Sequence, residues 1–385
     1  MPISESPPNA LALSGRPGTL RAFVPDPLPP ELDAASFVRL TDALVRAERA
    51  LGLLEGSARR LANPHILIGP FARKEAIRSS GIEDTFADIE EVVRVEADLD
   101  RHTRRNDAVE VRNYVRALEQ GLRSDLPISQ RLIRELHCTL LTETRGANRD
   151  PGNYRRSQNF IGGGGAVRFV PPPANRVPDL MSDLERFVHD TRIELPQLIR
   201  IALTHYQFET IHPFQDGNGR VGRLLITLQL CDGARLTKPL VYVSGHFEKH
   251  RAEYYDRLLA VSMVGDWVGW ILFFLEAIES TCRDALRRSD DLLQLQQEYH
   301  ARVRVPRASA LLPKIIDQLF VQQWLTVSVV SRECGITPPA ATGLIRKLEA
   351  VDIIREVTGA RYGQTWFAPG VIDIIRREYD DVPPA

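Results

Sequence analysis

The sequence predicts a mainly α-helical fold with one small β-hairpin on its surface and a C-terminal winged helix-turn-helix. Three observations carry that reading. Apolar residues recur at helical spacing through most of the chain, as in Leu40, Leu44, Ala47 and Leu51. Beta signals before the last third are confined to one glycine-rich segment. Near the end, short helices and a turn are followed by an alternating segment around two glycines.

Taken in order, residues 1–30 form a proline-rich arm, read as disordered or loosely draped. Residues 31–125 form an N-terminal helical region and 126–290 a helical core. Inside the core, Gly162 to Gly165 lead into Ala166 to Val170, and Pro171 to Pro173 stop the run. Glycines, a short alternating segment and a proline stop predict a surface hairpin. Residues 291–385 form a linker helix, broken at Pro306, and the winged module. Its helices are expected at Leu311–Val321, Val327–Cys334 and Ala340–Ala350, with a hairpin around Gly359 and Gly363.

Composition excludes several classes. The chain has 385 residues, ample for a hydrophobic core without a disulfide or metal staple. Its 49 basic and 50 acidic residues leave a net charge of -1, with no excess suited to coating nucleic acid or a membrane surface. The four cysteines form no C-x-x-C pair, which excludes a zinc ribbon and fits a reducing compartment. No secretory pattern opens the chain and no apolar run is long enough to span a bilayer, so a cytoplasmic location is expected.

The densest polar chemistry is ETIHPFQDGNGRVGR, residues 209–223. Apolar stripes flank it: Leu198, Ala202 and Tyr206 before, Val221, Leu224, Leu225 and Leu228 after. The cluster is therefore a loop between two buried helices. Gly217, Asn218 and Gly219 permit a tight turn whose N–H groups make an anion nest at a helix start. Arg220 and Arg223 can lay guanidinium forks on phosphate oxygens. Asp216 is a hard oxygen ligand of the kind that holds Mg²⁺ together with substrate phosphates. His212 is placed to take a proton from an attacking hydroxyl. Together they suggest transfer from a nucleoside triphosphate. GNGRVG also matches G-x-G-x-x-G, but a helix rather than a strand precedes it, so the dinucleotide reading fails. His137 and His205 lack partners at metal spacing and read as structural.

These residues resemble the Fic family. His212, Phe214, Asp216, Gly217, Asn218, Gly219, Arg220 and Arg223 match every fixed position of H-x-F-x-[D/E]-G-N-G-R-x-x-R. The resemblance implies a helical enzyme that transfers AMP from ATP to a Ser, Thr or Tyr hydroxyl of a protein. His212 would be the base and Asp216 the Mg²⁺ ligand. The ATP contacts would run from Asp216 through Gly217, Asn218, Gly219, Arg220, Val221 and Gly222 to Arg223. The hairpin, with Val167, Arg168 and Phe169, is similar to the family's flap, which pins the target by strand-like pairing. Tyr254 falls where the family contacts adenine. Upstream, Ser79 and Glu83 in RSSGIEDTF resemble the inhibitory motif [S/T]-x-x-x-E-[G/N], with Asp84 in place of the usual Gly or Asn. By that likeness Glu83 pairs with Arg223 and blocks productive ATP binding.

Other readings stand beside this one. The C-terminal module suggests a DNA-binding regulator in which the core senses a nucleotide. Against it, five basic residues (Arg332, Arg346, Lys347, Arg355, Arg361) face four acidic ones (Glu333, Glu349, Asp352, Glu356) between 325 and 370. Protein contacts or homodimerisation are the other reading of the module. Removal of AMP from a modified target, aided by Glu83, is a third activity.

Overall fold

The computed structural model describes residues 10–12, 21–59, 65–97, 106–163, 166–232, 236–304, 309–359 and 363–379. A two-stranded ribbon, β1 (Ala10–Ala12) and β2 (Arg21–Phe23), precedes four helices. These are α1 (Ala34–Arg59), α2 (His65–Ile82), α3 (Ile89–Glu96) and α4 (Asn106–Arg123). The core follows: α5 (Gln130–Leu141), the hairpin β3 (Ile161–Gly163) and β4 (Ala166–Phe169), then α6 (Val177–His189), α7 (Gln197–Ile211) and α8 (Asn218–Asp232). Next come α9 (Ser244–Lys249), α10 (Arg251–Val264) and α11 (Trp267–Arg302). The mainly helical class expected from periodicity is the class observed.

Helices α7 and α8 are buried almost all round, with apolar residues on every face, and that decides their place. Leu198, Ile199, Ile201, Leu203, Phe208 and Ile211 of α7 are buried, as are Val221, Leu224, Leu225, Ile226 and Leu230 of α8. Such helices must sit at the centre of a bundle. Neighbours cover them with one apolar stripe each. In α5 that stripe is Leu132, Ile133, Leu136 and Leu140, started by the Ser129 N-cap, whose side chain accepts from Leu132 N. Further out, α3 packs on α4 through Ile89, Val92 and Val93 and is started by a capping box of Asp88 and Glu91. Trp270 of α11 is fully buried and donates its indole N–H to Ala202 O at 2.9 Å.

The C-terminal segment runs α12 (Leu311–Gln322), β5 (Trp324–Thr326), α13 (Val327–Cys334), α14 (Pro338–Glu349), β6 (Arg355–Glu356), β7 (Thr365–Phe367) and α15 (Pro369–Arg376). Its sheet order is β5-β7-β6, all antiparallel. Gly359 and Gly363 have φ of 60° and 67°, the left-handed region where a hairpin needs glycine. The three expected helices and the hairpin are present; β5 and α15 are additional.

The structure departs from three expectations. The arm is not loosely draped over its last third: Ala22, Phe23 and Pro25 are buried, and Phe23 N donates to Val170 O at 2.9 Å. Two apolar side chains and one backbone bond outweigh the prolines there. Most of the other arm residues, and Pro306, lie outside the described residues. The boundary drawn at residue 290 falls inside α11, which runs unbroken from Trp267 to Arg302 because Ala285, Arg288, Ser289 and Leu292 keep its buried face going. The stretch between α5 and the hairpin, expected to be helical, is instead a loop with a 3-10 turn at Arg145–Asn148, since Pro151, Gly152 and Asn153 stop a helix.

Candidate functional site

The loop between α7 and α8 is built by its own polar side chains. α7 ends at Ile211 and His212 takes the left-handed cap, φ 50° and ψ 61°. Asn218 then closes the loop: Phe214 N donates to its Oδ1 at 2.8 Å, and its Nδ2 donates to Phe214 O at 2.9 Å. Phe214 is fully buried and its ring lies on His137, centroids 3.7 Å apart. Gly217 (φ 75°) makes the turn into α8. Gly217 N donates to Asp216 Oδ1 at 2.6 Å.

Three residues that sequence reasoning left out of the site, or assigned only to the core, hold this loop. His137 sits beneath it. Gly152 N donates to its Nδ1 at 2.8 Å, so Nδ1 is the acceptor and Nε2 carries the proton given to Asp216 O at 2.9 Å. Burial lowers its pKa to about 4, which keeps it neutral. Arg155 is buried and donates to His212 O at 2.8 Å, to Pro172 O and to Ile211 O, clamping the end of α7. Asn159 Nδ2 donates to Phe214 O at 2.9 Å. The polar run NYRRSQNF before the glycines was the available signal.

Burial and the Arg155 guanidinium pull the His212 imidazole down to about 4. It is therefore neutral near pH 7 and able to accept a proton.

Glu83 lies opposite. α2 ends at Ile82 and the chain turns through Glu83 and Asp84, with Thr85 N donating to Ser80 O at 3.1 Å. The Glu83 carboxylate bridges both arginines. Arg223 Nη2 donates to Oε1 at 2.9 Å and Arg220 Nε to Oε2 at 3.0 Å. Arg223 is also fixed by Ser79, donating to its Oγ at 2.9 Å and its O at 2.8 Å. Burial alone would raise the Glu83 pKa; Arg220 and Arg223 more than offset it, and the net shift is downward. Gly219 leaves room for this contact, since a Cβ there would stand 2.4 Å from Glu83 Oε1. Arg220 has a further carboxylate, Glu110 on α4, whose Oε2 accepts from Nη1 at 2.8 Å. The motif offered no hint of that contact.

These groups open on one cavity of about 900 Å³, within the usual size of a ligand pocket. Glu83, His212, Asp216, Gly217, Asn218, Gly219 and Arg223 form one wall. The hairpin closes another through Ile161, Gly162, Arg168 and Phe169; Gly164 and Gly165 lie outside the described residues. Arg168 Nη2 pairs with Asp256 Oδ1 of α10 at 2.6 Å. Tyr254, Tyr255, Leu258 and Leu259 of α10 form the apolar side. Tyr254 is only 1% exposed, and its hydroxyl is hydrogen-bonded to His205 Nε2 at 2.9 Å. Val167, Arg220, Val221 and Gly222 are not on the described cavity wall: Val221 is buried in the core, Arg220 is bound by carboxylates, and Gly222 packs beneath Glu209.

Comparison with known proteins agrees with the fold. Residues 41–123 match the Fic/DOC family N-terminal region and residues 127–230 the Fic/DOC family domain. A protein adenylyltransferase Fic from Aedes aegypti is 34% identical over 131 residues, 34% of this chain and 24% of that protein. One from Drosophila virilis is 29% identical over 210 residues, 51% of this chain and 40% of that protein. The chain thus spans less than half the length of these curated relatives. A crystal structure of a Fic family protein from Desulfovibrio desulfuricans G20 aligns over 85% of this chain and 95% of its own, with TM-score 0.55 and 23% identity. Fic-1 (residues 134–508) from C. elegans covers 66% of this chain and 76% of its own, with TM-score 0.54 and 21% identity.

Proposed function

Through residues 41–123 and 127–230 the chain belongs to the Fic/DOC family, and we propose that it is a protein adenylyltransferase held in check by its own Glu83. The observation that carries this reading is the bridge from Glu83 to Arg220 and Arg223 across a cavity that also holds a neutral His212. Relatives named protein adenylyltransferase Fic support the activity.

The target's hydroxyl enters between the hairpin and His212. His212 removes its proton as the oxygen attacks the α-phosphorus of ATP. The bond to the bridging oxygen breaks and pyrophosphate leaves. Arg223 and the N–H groups at the start of α8 bear the phosphate charge. Tyr254 and the leucines of α10 cover the base. Asp216 suits Mg²⁺: it is part-exposed on the cavity wall, and a single carboxylate is the usual protein contribution when substrate phosphates supply the other oxygens. The ion would neutralise phosphate charge. No cluster of three or more His, Cys, Asp or Glu poised for a metal occurs among the described residues, so an all-protein cage is not part of the reading.

Glu83 and a phosphate oxygen compete for the same guanidinium edge. Charge-assisted hydrogen bonds contribute about 1.5–3 kcal/mol each, so losing the Glu83 contacts corresponds to at least a hundredfold change. Glu83→Gly should raise label transfer from [α-³²P]ATP by about that factor. His212→Ala in the same background should abolish it. Absence of label from every lysate protein with Glu83→Gly would sink the transferase reading.

A further inference from the structure

A second cavity, about 90 Å³, lies against α2 and shares no lining residue with the first. Its walls are α2, α9, α11 and the chain after α15. That volume holds about three waters, or one tetrahedral anion. Its described lining has five Lys or Arg side chains against three Asp or Glu: Lys74, Arg78, Lys249, Arg287 and Arg288 face Glu75, Asp284 and Glu378. Burial raises the Glu75 carboxyl toward its neutral form, while Glu248, just outside this lining, offsets one charge by pairing with Arg78.

Lys74 feels that excess. It is 16% exposed, and its contacts to Arg377 O at 3.4 Å and Asp284 Oδ2 at 3.6 Å are long for an ammonium. Burial and the Arg288 guanidinium pull its pKa down to about 8. Arg78 pairs with Glu248 at 2.8 Å and with Glu378, whose side chain is 65% exposed. The last carboxylate is thus one that solvent already reaches. The Tyr242 hydroxyl, on a side chain 8% exposed that lines the cavity, has no hydrogen-bond partner. A buried O–H left unpaired calls for an acceptor.

We infer that this cavity is an anion site for a phosphate group, free or as a phosphomonoester, held by Lys74, Arg78 and Tyr242, with Glu378 as the internal carboxylate it displaces. Lys74 and Arg78 stand within about one turn of Ser79 on the same helix, so an anion bound here is tied to the helix that closes the nucleotide cavity.

Isothermal titration of the full chain with inorganic phosphate, in the presence of saturating ATP and Mg²⁺ to fill the nucleotide cavity, tests the site. Binding should persist under ATP and weaken at least tenfold in Lys74→Gln, the loss of one charge-assisted bond. Glu378→Gln, an exposed change that leaves the core untouched, should tighten it. Phosphate that ATP competes away belongs to the nucleotide cavity and overturns the inference. So does absence of binding at millimolar phosphate, or an affinity that Glu378→Gln does not raise. If titration with a phosphomonoester such as glycerol phosphate gives tighter binding than phosphate, the natural ligand is an organic ester rather than the free ion.

Discussion

Asp84 has φ 58°, a conformation that costs most residues about 1 kcal/mol or more and Asp or Asn less. The Gly or Asn found there in the inhibitory motif meets a backbone demand, and Asp84 meets it too. It adds a bidentate pair with Arg251 of α10, at 2.7 and 3.0 Å. Asp84→Val should lower the melting temperature and raise label transfer, because the turn presenting Glu83 loses its geometry; Asp84→Gly should keep the turn. Ser79 has a role distinct from that of Glu83. Its Oγ and O accept from Arg223 through contacts separate from those of Glu83. Ser79→Ala leaves the buried Arg223 Nε without its acceptor, at about 1–3 kcal/mol. In the Glu83→Gly background it should reduce label transfer about tenfold, read as a higher KM for ATP; unchanged KM would assign Ser79 to inhibition alone.

At the scale of elements, the α7–loop–α8 unit was legible in the sequence because its chemistry is contiguous. One stretch of fifteen residues supplies His212, the turn and both arginines. Its supports were not legible. His137, Arg155 and Glu110 each come from a separate segment and read locally as ordinary helix or loop residues. Only the tertiary fold brings the His137 ring under Phe214 and Glu110 against Arg220. Likewise β5 is three residues long and exists because β7 pairs with it, a partner 41 positions on by the Trp324–Thr365 starts. Arg155 offers a test at this scale. Its fork serves carbonyls of α7, of the loop and of the chain after the hairpin, which a lysine cannot reproduce. Arg155→Lys should lower kcat with little change in KM for ATP, since it displaces His212 and not the phosphate cradle. A fall in KM-dependent terms alone would contradict that assignment.

For the whole molecule, buried histidines set the acid limit. His137, His205 and His212 have pKa values near 4, 3 and 4, each depressed first by burial. The unfolded chain takes these protons near 6.5, so the stability they give is full above that pH and is lost as pH falls toward 4. Glu209 opposes them. Burial raises it to about 7, so between 4.5 and 7 the folded state holds a proton that the unfolded chain does not. Glu75, also raised by burial, acts in the same direction as Glu209, and three imidazoles against two carboxyls leave a slope of about 1–3 kcal/mol per pH unit near pH 5.5. Denaturant melts at pH 7.5, 6.5, 5.5 and 4.5 should show stability falling on acidification, most steeply below 6. A flat profile would place these imidazoles in contact with water.

The 36 residues of α11 make a rod about 54 Å long. One end lies in the core, where Trp270 is bonded to α7; further along, Arg288 is bonded to the Ile375 carbonyl at the end of α15 and to the Arg377 carbonyl just after it. A straight beam of that length converts a tilt of 3° at one end into about 3 Å at the other, a whole hydrogen-bond length. The C-terminal segment and the helical core therefore share one mechanical member, and neither can pivot on it without the other registering the movement.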